Sequence, residues 1–119
     1  VIYHLVARDG WAVAMRAGSY APPSLALEGF IHCSTLAQLV ATANAVFRGN
    51  RDLVVLCIEE SRLRARLRFE SPADASDPRA HERFPHLYGA LNAGAVTMVI
   101  DFPCGADGTF TLPAALAGR

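Results

Sequence analysis

The sequence predicts an α+β domain, and three observations carry that prediction. Short β-branched apolar runs alternate with two segments of helical periodicity, turn-forming Gly, Pro and Asp residues punctuate them, and no internal repeat or linker interrupts the 119 residues. Apolar residues make up 52% of the chain and charged residues 18%, rich enough in core-forming side chains to exclude a disordered chain. Residues 1–119 are therefore expected as one compact domain flanked by two main helices, a usual size for a single core.

Val1 to Val6 is short, β-branched and apolar, and is expected as a mostly buried strand with His4 on the same side as Ile2 and Val6. Asp9 is a plausible N-cap for a helix through Trp11, Ala14 and Met15, which Gly18 can end in a left-handed conformation. Ser19 to Leu25, with Pro22-Pro23, reads as a loop. Gly29 to Ser34 reads as the second strand. Thr35 then caps a helix to which Gln38 reaches back, with Leu36, Leu39, Val40, Ala43, Val46 and Phe47 as its apolar stripe and Gly49 as its end.

Asp52 to Ile58 has the unbroken hydrophobicity of a central strand. Arg62, Arg64, Arg66 and Arg68 alternate with Leu63, Ala65, Leu67 and Phe69, the pattern of a strand with one wet face, or else of an anion-binding strip. Residues 71–83 form the longest polar loop, expected as a lid or as an irregular connection. Phe84 to Gly89 and Ala95 to Phe102 return to strand, and Asp107-Gly108 turns into a terminal strand at Thr109 to Leu112.

Eleven arginines balance eleven acidic residues, so no overall positive field attracts duplex nucleic acid. No apolar run is long enough to span a bilayer, and no secretory leader precedes the first strand, so a cytoplasmic protein without membrane contact is expected. Cys33, Cys57 and Cys104 are scattered and odd in number, and are read as free thiols; without clustered spacing no metal is expected. Cys33 as a nucleophile would need an adjacent base, and strand geometry aims it away from His32.

His4, His32 and His86 lie within apolar strands. A buried imidazole needs a partner at each nitrogen or carries a cost of roughly 1–3 kcal/mol, so the three are expected to satisfy one another, backbone groups or a ligand. Phe30, His32 and Ser34 share one side of their strand, as do Phe84, His86 and Tyr88 of theirs. Glu28 and Glu70 are the carboxylates nearest the strand ends, without a recognisable acid–base pair. Ser34 and Thr35 open a helix whose first amides suit a phosphate, or simply an ordinary cap.

Ile2-Tyr3-His4, Trp11, Tyr20, the block EGFIHCST from Glu28 to Thr35, Gln38, and the block FPHLYG from Phe84 to Gly89 resemble the bacterial domain-of-unknown-function 952 family over nearly the whole chain. That family in turn resembles the ADP-ribosyltransferase superfamily, which implies a split, mostly antiparallel sheet gripping NAD or a related nucleotide. The resemblance places His4 where a first-strand His contacts a ribose, and His32 where a Tyr commonly stacks on nicotinamide. Ser34 and Thr35 match the segment behind that Tyr, and His86 or Pro85 the position of a catalytic Glu. It thus implies catalytic roles for His4, His32 and His86, and cofactor contacts for His4, His32, Ser34, Thr35 and Tyr88. The departure is the Glu itself, because an imidazole cannot repeat an anionic role. A His-rich branch, the RNA 2′-phosphotransferases, holds a phosphate with His and Arg, for which Arg8 and the Arg62 to Arg68 strip are the candidates here. The competing expectations are a noncatalytic nucleotide-binding module and a structural histidine network; the oligomeric state is open.

Overall fold

A computed structural model describes residues 1–72 and 74–119. The described residues form eight strands and three α-helices: β1 Ile2–Ala7, α1 Arg8–Ala17, β2 Ser19–Tyr20, α2 Pro23–Glu28, β3 Ile31–His32, α3 Leu36–Val46, β4 Leu53–Ile58, β5 Arg66–Glu70, β6 Phe84–Tyr88, β7 Leu91–Asn92 and β8 Val96–Asp101. Every strand pairing is antiparallel, in the orders β1-β4-β8, β2-β7 and β3-β6-β5. The fold is α+β.

β4, the unbroken apolar run, is buried at all six positions and sits between β1 and β8. Alternation along β1 and β4 divides the interior in two. Ile2, Val6, Val54, Leu56 and Ile58 pack with Ile31, Leu87 and Ala14 on one face, whereas Tyr3, Leu5, Leu53, Val55 and Cys57 meet Leu39, Ala43, Phe102 and Phe110 on the other. One sheet thus separates α3 and the C-terminal segment from the remaining strands.

Several local expectations are corrected. α1 starts at Arg8 with Ala7 at the N-cap, so Asp9 lies in the first turn, where its carboxylate still favours the helix dipole. Gly18 ends that helix at φ 87°. The stretch read as a loop from Ser19 contains β2 and α2, because Pro23 at the first helical position has the right φ and loses only an amide that no helix would use. α3 opens as expected, with the Thr35 amide donating to Gln38 Oε1 at 3.0 Å, but Val46 is exposed. Of the Arg-rich strip only Arg66 and Arg68 belong to a strand, and Phe69 is exposed beside them. Thr109 to Leu112 is not a strand. The Asn44 side chain takes both backbone groups of Phe110, receiving its amide at 2.8 Å and donating to its carbonyl at 3.2 Å, so no ladder is needed.

β3 is shorter than the strand expected there because its chain changes partners. Ile31 and His32 pair with Leu87 and His86, the Cys33 amide donates to the Pro85 carbonyl, and Ser34 then exchanges both backbone bonds with Tyr3 of β1. Residues 31–34 stitch two sheets together, and a cavity opens at that seam.

Candidate functional site

A cavity of about 610 Å³ lies at the seam, lined by β1, α2, β3, α3, β6 and by Pro72, Asp74, Asp77 and Arg79 of the polar loop, and its volume falls within the range of about 300–1,000 Å³ common to small-molecule sites. His4, His32, Ser34 and His86 all line it, whereas Thr35 and Tyr88 lie outside the lining. The three histidines differ sharply in environment.

His4 is buried, and both its nitrogens are satisfied. Nδ1–H donates to the His32 carbonyl oxygen at 2.5 Å, which leaves Nε2 to accept from the Tyr20 hydroxyl at 2.8 Å. Burial pushes its pKa down to about 4, and burial likewise pushes the Tyr20 phenol up to about 12. The pair is neutral across the physiological range.

His86, only 4% exposed, stacks on Phe30 with ring centroids 4.0 Å apart and planes at 18°. Its Nδ1–H donates to Glu70 Oε1 at 3.0 Å, and the Tyr88 hydroxyl donates to the same oxygen. The Tyr88 and then the His86 hydrogen bond hold the Glu70 carboxyl below its ordinary range. Burial lowers the His86 pKa while Glu70 opposes the shift, so the ring is neutral near pH 7 and its second nitrogen, Nε2, carries a lone pair with no hydrogen-bond partner among the described residues. A carboxylate-oriented imidazole of this kind suits proton transfer.

His32 departs from the expectation of a buried ring: its side chain is 54% exposed at the cavity wall, with Nε2 bonded to Glu28 Oε2 at 2.7 Å. The reason is register. Ile31 and Cys33 point into the core, so His32 must point out. Glu28 and Glu70, unpaired on the sequence, each hold a histidine. Glu28 ends α2, and Glu70 and Tyr88 come together across the β5-β6 pair.

The sequence reading missed Arg79. This loop residue lines the cavity, donates from Nη1 to Thr42 Oγ1 at 2.9 Å and lies over the Phe84 ring at 4.8 Å. Thr42, a lone hydroxyl on the flank of an otherwise apolar helix stripe, was the available signal. Arg8 is instead tied to Asp52 and Asp101, and the Arg62 to Arg68 strip does not line the cavity. Cys33 lines it as a buried thiol whose pKa burial raises to about 12, an inert setting rather than a nucleophile's. Among the described residues no three His, Cys, Asp or Glu side chains gather as a metal site, and no helix is long and apolar enough to cross a membrane.

The chain is similar to protein CC0527 from Caulobacter crescentus. The crystal structure of that protein is 36% identical, covers 93% of each chain and superposes with a TM-score of 0.78. Its solution NMR structure is 35% identical, with a TM-score of 0.80 over 99% of this chain and 97% of that one. No curated protein matches. The family model described as a protein of unknown function, DUF952, matches residues 5–99, from the first strand through both motif blocks to the last strand; the chain belongs to the DUF952 family.

Proposed function

We propose that the cavity binds a nucleotide-type ligand, NAD or a relative of it, and that His86 transfers a proton during ADP-ribosyltransferase-like chemistry on it. The observation that carries this reading is a buried imidazole in a cavity of ligand size, fixed by Glu70 through Nδ1 with Nε2 unpaired. In an ADP-ribosyl transfer the bond from ribose C1′ to the nicotinamide nitrogen breaks and nicotinamide leaves with the bonding pair. The acceptor oxygen bonds to C1′, and the acceptor's proton passes to His86 Nε2. Glu28, hydrogen-bonded to His32 Nε2 at 2.7 Å, borders the same cavity and is the carboxylate this reading assigns to the ribose.

His4 is given a supporting role, because its two ring nitrogens are already used within the protein. A binding module without turnover is the second reading, favoured by the Tyr20–His4–His32 chain, which is built for rigidity rather than proton movement.

Nuclear magnetic resonance titration with NAD, ADP-ribose and nicotinamide, coupled to an assay of nicotinamide release, tests both readings. Shifts at the cavity residues with release that falls about 10²–10⁴-fold in His86→Gln support the enzyme. Binding without release selects the module, and an unchanged spectrum with all three compounds removes the nucleotide reading.

A further inference from the structure

We propose that Arg79 and Thr42 form an anion seat in the cavity, positioned by Ser34, that takes the phosphate or pyrophosphate group of the ligand. This deepens the reading above and rests on it in one respect, that the cavity takes a ligand. Thr42 Oγ1 accepts two hydrogen bonds, from Ser34 Oγ at 3.3 Å and from Arg79 Nη1 at 2.9 Å. An oxygen that accepts twice has its own hydrogen left to donate, and that hydrogen has no acceptor among the described residues. Beside it, Nη2 of Arg79 makes no hydrogen bond or ion pair among the described residues. Two unused donors, one of them cationic, therefore adjoin on one wall, which is the complement of a tetrahedral anion.

Two acidic residues share that wall, and both are engaged within the loop. Asp77 Oδ1 accepts the Arg79 amide at 2.8 Å and forms an ion pair with Nε at 3.7 Å, leaving Nη2 as the uncommitted nitrogen of the guanidinium, while Asp74 Oδ1 accepts from the amide and hydroxyl of Ser76. Both carboxylates shape the loop. The Arg79 guanidinium is braced on the Phe84 ring and on Thr42 of α3, and Gln38 holds the loop's exit by donating to the Arg83 carbonyl at 2.8 Å. Ser34, 3% exposed at the cavity lining, fixes the Thr42 hydroxyl. Phosphate is favoured over carboxylate because its additional oxygens let a guanidinium and a hydroxyl from separate side chains each meet an oxygen of one group.

The test titrates the whole chain with inorganic pyrophosphate, and with malonate as a carboxylate of similar span, following backbone amide and arginine side-chain resonances. Saturable shifts at Thr42 and at Arg79 Nε are expected with pyrophosphate, more weakly with malonate. Affinity should fall at least about tenfold in Arg79→Gln and also in Thr42→Val, which removes the hydroxyl while leaving the loop's charge, and should be unchanged in the exposed-strand variant Arg68→Gln. Absence of saturable shifts, an equal loss in Arg68→Gln, or tighter binding of malonate overturns the proposal. Competition separates it from the nucleotide reading. Pyrophosphate bound at Arg79 but not displaced by NAD or ADP-ribose leaves the seat standing and removes the nucleotide, whereas NAD binding indifferent to Arg79→Gln removes the seat and leaves the nucleotide.

Discussion

His32 and His86 are directly opposed residues of β3 and β6, with ring centroids 5.8 Å apart at 76°, yet each is bonded to a carboxylate of its own from a different element. One is exposed and the other buried, so the same side chain is placed in two electrostatic settings on one cavity wall. Such a difference is how neighbouring groups of one kind acquire separate roles.

Replacing Glu70 by Gln removes the negative charge that favours the His86 imidazolium, while the burial that disfavours it stays. The His86 pKa is expected to fall further below its ordinary value, and the Tyr88 phenol, raised by the same carboxylate, to come down. A proton NMR titration of the imidazole Cε1–H reads the first shift; an unmoved or raised pKa would show that Glu70 does not act on the ring.

His4 makes stability depend on pH. Its folded pKa of about 4 lies below the unfolded value of about 6.5, so between those values the unfolded chain binds a proton that the folded chain refuses. Stability is therefore full above about pH 6.5 and falls as the pH drops toward 4, by roughly 3 kcal/mol over the window. Urea denaturation across that range checks it. In His4→Gln the slope contributed by this site should vanish, whatever the variant's stability at neutral pH.

Tyr20→Phe leaves the His4 Nε2 lone pair without its donor in a buried setting. A loss of about 1–3 kcal/mol is expected in denaturant unfolding, with the apolar contacts of the ring to Trp11 retained. A loss within a few tenths of a kcal/mol would mean that the hydroxyl does little for the fold.

Gly89 closes the FPHLYG block for two reasons, a backbone φ of 157° that side chains rarely adopt and a lack of room. A Cβ placed there would stand 2.8 Å from the Cβ of Ala65, closer than two carbons can approach. Gly89→Ala is expected to destabilise by about 1–3 kcal/mol, and Ala65→Gly in the same chain to recover the part due to the clash, the strain of a side chain at φ 157° remaining. Thermal unfolding of the two single variants and the double variant measures the coupling; strictly additive losses would refute the contact.

What could be read from the sequence was governed by short-range rules. The central position of Leu53 to Ile58, the left-handed Gly18 and the Thr35–Gln38 helix start all depend on residues within a few positions of one another. The two-sided alternation of β1 was legible for the same reason, and it put His4 beside Ile2 and Val6. What failed depended on partners far along the chain. Whether His32 faced core or solvent turned on its pairing with His86, and the apolar run at Thr109 to Leu112 lost its strand to the side chain of Asn44. Arg79 sits in a segment without periodicity, so nothing nearby announced that it would reach helix α3.

The stitched seam also fixes when the cavity comes into being during synthesis. β1 pairs with β4, Ile2 opposite Ile58, and β3 pairs with β6, so His4 and His32 emerge from the ribosome long before the strands that hold them. Until His86 has been translated, the cavity lacks its β6 wall, although the walls from β1, β3 and α3 precede it in the chain. A small molecule that needs that wall can therefore stabilise only a chain complete through β6.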